Sequence, residues 1–220
     1  MSNIAPVLTD EQLWDKTWNE RINIFANHRK TPFLLSAIFV DIVRGYYSNP
    51  DYLPQHLCVK WDADANKSQV YIDSLAKWNT ANPEFRPAIL VQTGTTTYST
   101  KAMRADGYYG ENTAEGEKFY TRTGTGIVYY THIASLQAES ELLMSATLDY
   151  LDSFSSVITD DYCFDSFDVA QSETSTYTKE SKERVRCVLT CRYSFTDSWS
   201  IKRESLKLKG ITIHAGQNLL

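Results

Sequence analysis

Residue types capable of chemistry are present in this 220-residue chain, but they are scattered along it. His56, Cys58, Asp62 and Asp64 come nearest to a metal set, which needs His and Cys donors converging tetrahedrally. Leu57, Val59 and Trp61 alternate there as in a short strand. Only His56 clearly faces away from the apolar side, which disfavours a metal. Asp160, Asp161, Asp165 and Asp168 form an acidic cluster, yet a calcium loop needs oxygen ligands at set spacing and a glycine for its sharp turn. Both are missing, so the cluster reads as a solvated turn. The four histidines are dispersed, and no H-E-x-x-H, P-loop, G-x-S-x-G or strand-linked G-x-G-x-x-G is present. None of the four cysteines lies in a C-x-x-C pattern. Cys187 and Cys191, on one face of a strand, would stand roughly 13 Å apart, too far for a disulfide. Four reduced, mostly buried thiols in a protein made in a cytoplasm are expected. No catalytic residue, metal or cofactor is expected, and the chain does not read as an enzyme. The polar feature that stands out is a row of cations, Arg184, Arg186 and Arg192, on the even positions of an alternating segment. It is either a solvent-facing strand or a charged contact with an adjacent subunit, matched by acids such as Asp160 and Asp161.

The elements that must position these residues follow from periodicity. Thr9 to His28 opens with a T-x-x-Q capping box and carries Trp14, Trp18, Ile22 and Phe25 at helical spacing. Two tryptophans on one stripe must bury against the domain or a neighbouring subunit. Thr31 as cap and Pro32 at the first position begin a second helix, with Leu35, Ile38, Phe39, Ile42, Val43 and Tyr46 on one face. Residues 66–78 have helical spacing through Tyr71, Ile72, Leu75 and Trp78. Ala88 to Gln92 is a buried strand, and 94–118 reads as a long loop or extended arm. Phe119 to Ala134 is predicted to be a hairpin turning at Gly124-Thr125-Gly126. Glu139 to Phe154 is a helix burying Leu143, Met144, Leu148, Leu151 and Phe154. Phe164 to Gln171 is a strand, and Leu206, Leu208, Ile211 and Ile213 suggest a closing one.

Val185 to Ile201 is the clearest strand signal. Apolar residues fill its odd positions, and only Val188 and Asp197 break the rule. Straight, it would span roughly 56 Å, against a radius of gyration of roughly 17 Å for a compact domain of this size. It therefore bends near Thr196-Asp197-Ser198, or projects and pairs with a neighbour.

Composition narrows the class further. The chain has 22 Lys+Arg against 27 Asp+Glu, a net charge of −5, which disfavours general nucleic-acid or polybasic membrane binding. Five Trp, 14 Tyr and nine Phe are too many for a disordered chain. Met1 to Asp10 shows no signal-peptide pattern, and Phe33 to Val43 is about half a bilayer span. The expected fold is a single α+β domain, with a mostly antiparallel or mixed twisted sheet flanked by helices. Residues 1–30 are a helical extension and 31–220 the domain proper.

Five features in order carry a resemblance: Arg86-Pro87-Ala88-Ile89-Leu90-Val91; Gly126-Ile127-Val128-Tyr129-Tyr130; a helix opened by Ala138-Glu139-Ser140-Glu141; the long strand followed by Trp199; and a close running from Glu204 to Ile213. This order, over about residues 32–213, resembles the tail-terminator and neck proteins of tailed bacteriophages. The resemblance implies a small α+β subunit without catalytic residues. It implies a homo-oligomer, a hexameric ring on the last tail-tube ring that stops tube growth and joins the tail to neck or connector proteins. It places the protein in the virion, assembled in the host cytoplasm, with genomic DNA passing the lumen without sequence-specific binding. The Trp14/Trp18 helix and 94–118 are additions to the minimal domain. Subunit contacts are expected at Arg184, Arg186, Arg192, Trp14 and Trp18. Two alternatives stay open: another neck ring, such as a stopper or head-completion protein, and a monomeric α+β domain whose Tyr and Trp line a small-molecule or carbohydrate cleft.

Overall fold

The computed structural model describes residues 20, 29–49, 51, 53, 54, 57, 59–78, 86–99, 108–112, 117–177, 184–202 and 210–214. Within them the chain forms a single α+β domain on a nine-stranded sheet. The expected helix at 9–28, with Trp14 and Trp18, lies outside the described residues apart from Glu20.

Helix α1 spans Pro32–Ser48. The Thr31 hydroxyl accepts from the Leu34 N–H at 3.2 Å, and Pro32 sits in the first turn, where a missing N–H costs nothing. The predicted stripe from Leu35 to Tyr46 is buried, and Asp41 and Arg44 are buried with it. The next segment departs from expectation. Leu57, Val59 and Trp61 form no strand, because the Trp61 N–H donates to the last-turn carbonyl of Tyr47. Nor is 66–78 a helix. Asp62 and Asp64 cap the N–H groups of Asp64 and Asn66 in successive turns, and such side-chain bonds compete with helix formation. The chain then enters β1, Tyr71–Ser74, and a short 3-10 turn, Leu75–Lys77.

Strand β1 pairs in parallel with β2, Ala88–Thr93. The segment read as a loop or arm contains β3, Thr97–Ser99, and β4, Tyr108–Asn112. Both pair antiparallel with β5, Glu117–Ala134. Helices α2, Gln137–Ser153, and α3, Ser155–Tyr162, follow. Then come β6, Ser166–Ser172, β7, Thr176–Tyr177, β8, Val185–Lys202, and β9, Gly210–His214. Of the expected buried face of α2, Leu143 and Leu151 are fully buried, whereas Phe154 just beyond its end is 43% exposed.

The sheet order is β1-β2-β5-β8-β6, with β3 and β4 beside β5 and with β7 and β9 beside β8. The 18-residue strands β5 and β8 run antiparallel without a register break, from Glu117 opposite Lys202 to Ala134 opposite Val185. The hairpin turn at 124–126 is therefore absent, as is any interruption of pairing at 196–198. Glycine serves close approach here instead of a turn. A Cβ on Gly124 would stand 2.4 Å from Phe195 Cζ, and one on Gly126 would stand 2.5 Å from Tyr193 Oη. The rings fill the space a side chain would need, a recognised use of glycine inside strands.

The three described helices α1, α2 and α3 pack on the sheet face that carries the odd residues of β8. Phe39 of α1 stacks on Phe164 at 5.6 Å and tilts against Tyr193 at 4.9 Å, so the aromatics form the centre of the core. Placing valine at Gly124 or Gly126 is expected to lower stability by about 1–3 kcal/mol through overpacking, read as a drop in the urea midpoint. Phe195→Leu should recover part of the Gly124 loss, since it removes the ring that the new side chain meets.

Candidate functional site

Three polar constellations and one cleft emerge, and none follows from the scattered residues picked out by type. The first centres on Asp197, the residue that broke the alternation of β8. It is 8% exposed on the buried face. Its carboxylate takes Arg122 Nη2 at 3.2 Å, lies 4.0 Å from Arg29 Nε, and accepts from the Lys30 backbone N–H at 3.4 Å. The Arg122 guanidinium lies 4.2 Å from the Tyr98 ring, and that of Arg29 lies 4.7 Å from the Trp199 ring. Tyr120 stacks on Trp199 at 5.6 Å. Cation and ring faces attract, more strongly when desolvated. The group thus ties the far half of the β5–β8 pair to the chain entering α1. Burial pulls the Lys30 ammonium below its ordinary pKa, against the field of Cys163, Asp197 and Asp165.

The second constellation is internal. His132 Nε2 lies 2.9 Å from Thr147 Oγ1, which is 3.0 Å from the Tyr47 hydroxyl, and Ser140 donates to the His132 carbonyl. All four residues are fully buried. Burial pushes the imidazole down to about 3 and the Tyr47 phenol up. The group joins β5, α1 and α2 and presents no proton donor or base at the surface.

The third is the Arg44 clamp. The Tyr71 N–H bonds the Pro87 carbonyl, so the alternation of a parallel ladder points the Ile72 carbonyl outward from the sheet edge. Arg44 Nε caps that carbonyl at 2.9 Å while Nη2 pairs with Asp73 at 3.0 Å, and its guanidinium lies 5.0 Å from the Trp61 ring. One of the outward backbone acceptors of the edge strand is thereby taken. Beside the clamp lies a cleft of about 590 Å³ between α1 and the ends of β1 and β2. Phe33, Ala37, Val40, Leu75 and Val91 line it, with Ser36, Ser74 and Lys77 among its polar groups.

The expected arginines lie where the alternation put them, on the sheet face away from the helices. Arg186 and Arg192 are exposed there, amid half-buried Ile127, Tyr129, Val188 and Thr190. Arg192 stands opposite Asp168 in register, and Arg186 donates to Thr176 Oγ1 at 3.3 Å. Arg184 is half-buried, its guanidinium 5.8 Å from the Trp78 ring. Trp78 and Tyr71 in turn cover a small second cluster of Ala88, Leu90 and Ile133 on this face. Trp14, Trp18, His56 and Cys58 lie outside the described residues. The acidic cluster is dispersed: Asp160 and Asp161 sit on α3, Asp165 precedes β6 and Asp168 lies on it. Among the described residues no three His, Cys, Asp or Glu side chains gather as a metal site, Cys163 is half-buried and Cys187 and Cys191 are buried and free, and no helix is long and apolar enough to cross a membrane.

A scan against protein-family models returns no match, and neither does a search of curated proteins.

Asp197 and Arg44 are the residues that type-based reading passed over. Each left a signal: a charge on an otherwise apolar stripe. Replacing Asp197 with alanine strands Arg122 and Arg29 beside a partly buried site. A loss of about 2–3 kcal/mol is expected in urea unfolding, with Asp197→Asn costing less because an acceptor oxygen stays in place. His132 sets a pH dependence. Its folded pKa lies below the unfolded value of 6.5, so the fold holds the neutral ring and only the unfolded chain takes up the proton. The contribution is fully present above pH 6.5 and falls away as pH drops from 6.5 toward about 3, by at most about 1.4 kcal/mol per pH unit. His132→Asn should flatten that part of the curve of stability against pH.

Proposed function

We propose that this protein is a structural component of a tailed-phage virion: a ring subunit, most simply six to a ring, that caps the tail tube and joins it to neck or connector proteins. The observation that supports the reading is the contrast between the two sheet faces among the described residues. One face is sealed by helices. The other carries half-buried Ile127, Tyr129 and Val188 among the exposed Arg186 and Arg192. A sheet face that mixes apolar side chains with arginine suits a protein contact, because arginine and aromatic residues are enriched where proteins meet. The resemblance in element order, from the strand at 88–93 to the long strand at 185–202, points the same way. In this reading the protein is not an enzyme and needs no cofactor. The acidic ring lets genomic DNA pass because few cations are available to neutralise phosphate. A neighbouring stopper or head-completion ring would present the same subunit chemistry.

The 590 Å³ cleft favours a second reading, a monomeric ligand-binding domain, since small-molecule sites have this size and an apolar lining. Native mass spectrometry separates the two. A hexamer that co-sediments with tail tubes supports the ring, and a strict monomer beside tail tubes with saturable binding of a sugar or other small molecule overturns it. Arg186→Glu combined with Arg192→Glu is expected to abolish assembly at micromolar protein while leaving the circular dichroism spectrum of the subunit unchanged and its melting temperature only a few degrees lower, since a second carboxylate then faces Asp168. Assembly at the unmodified level would remove the arginine face from the contact.

A further inference from the structure

Four of the large apolar side chains left open to solvent collect at opposite edges of the sheet. At the β1 edge, Phe33 is 72% and Leu75 is 38% exposed, and both line the 590 Å³ cleft over Ala37, Val40 and Val91. At the other edge, Tyr177 on β7 is 69% exposed. It pairs with Val185, which pairs with Ala134 at the end of the central strand β5, and Leu136, 68% exposed, follows two residues later. Tyr177 and Leu136 therefore lie at the same end of the sheet, two strands apart, and the bond between Ser175 and Glu141 ties the two segments together. The first patch is a cleft, and the second is an open corner.

We propose that Tyr177 and Leu136 of one copy of this chain seat in the α1–β1 cleft of the next copy, head to tail. The inference rests on the ring reading and names its subunit contact. Unlike patches on opposite edges are not self-complementary, so they suit a heterologous contact, which repeats around a ring. Exposed apolar patches of this kind mark contact sites. The charges are opposite. The cleft carries Arg44 and Lys77 around the single carboxylate of Asp73, a net positive lining, and the facing corner carries exposed Glu141 and Glu173. Glu141 is fixed there by bonds from Gln137 and Ser175. The contact uses side chains instead of extending the sheet, because Arg44 already occupies the outward carbonyl of β1. Arg186, bonded to Thr176, places the arginine face directly beside the open corner.

The test uses two surface variants of the full chain, Tyr177→Glu and the pair Phe33→Glu with Leu75→Glu. Circular dichroism checks that each is folded, and serine replacements at the same positions substitute for any that is not. By native mass spectrometry, each variant alone should be monomeric at a concentration where the unmodified chain forms its ring. Mixed in equal amounts they should give a one-to-one dimer and no ring. The Tyr177→Glu copy still has an intact cleft, the other still has Tyr177 and Leu136, and the dimer has no second good pair. Normal assembly by either variant alone, or a mixture that stays monomeric, overturns the proposal while the ring reading stands. An unmodified chain that is monomeric throughout overturns both.

Discussion

The rings of Phe195 and Tyr193 occupy the space above Gly124 and Gly126, and the rest of the architecture depends on that contact. A side chain at either glycine would meet a ring at 2.4–2.5 Å, so the ring would have to leave the place it fills in the core. Because both positions are bare, β5 passes straight through the place where its glycines suggest a turn. It stays paired with β8 over all 18 residues. The core then divides naturally. The half of the ladder toward Ala134 is flanked by β2 and β6 and covered by helices, and the half toward Glu117 is flanked by β4 and β9.

A ladder this long raises the problem of its far half, and Asp197 answers it. Burying a carboxylate costs several kcal/mol unless cations and N–H donors replace its water. Arg122, Arg29 and the Lys30 N–H do so. The arrangement holds the chain approaching α1 against the sheet, since residues 29 and 30 both contact the carboxylate. Arg44 does similar work at the opposite place, capping an outward carbonyl of β1 at the sheet edge. Both are charges spent on specifying geometry more than on net stability.

These constraints leave a domain with a sealed face, an arginine-bearing face, and two unlike edges. The buried His132–Thr147–Tyr47 group is enclosed by packing. Among the described residues, aromatic and aliphatic side chains with charges at their margins are open to the outside. That distribution underlies the proposed ring subunit, in which function is assembly.

Patterns confined to one element were legible in the sequence. The Thr31-Pro32 start and apolar stripe of α1, the strands at 88–93 and 185–202, the helix at 137–153 and the α+β class follow from period and capping, which act within a few residues. The solvent-side placement of Arg186 and Arg192 follows from the same alternation. Tertiary structure decided the rest. Tyr71 to Ser74 reads as helix by spacing, but pairing with Ala88 to Val91 and the cap from Arg44 make it a strand. Gly124 and Gly126 read as a turn, because the rings that need their emptiness lie about 70 residues away. Asp197 reads as a lapse in a pattern, and becomes an anchor only when Arg29 and Arg122 reach it from distant parts of the chain. Sequence determines what each segment can do by itself. Which possibility is realised depends on partners remote in the chain, and only folding brings those within bonding distance.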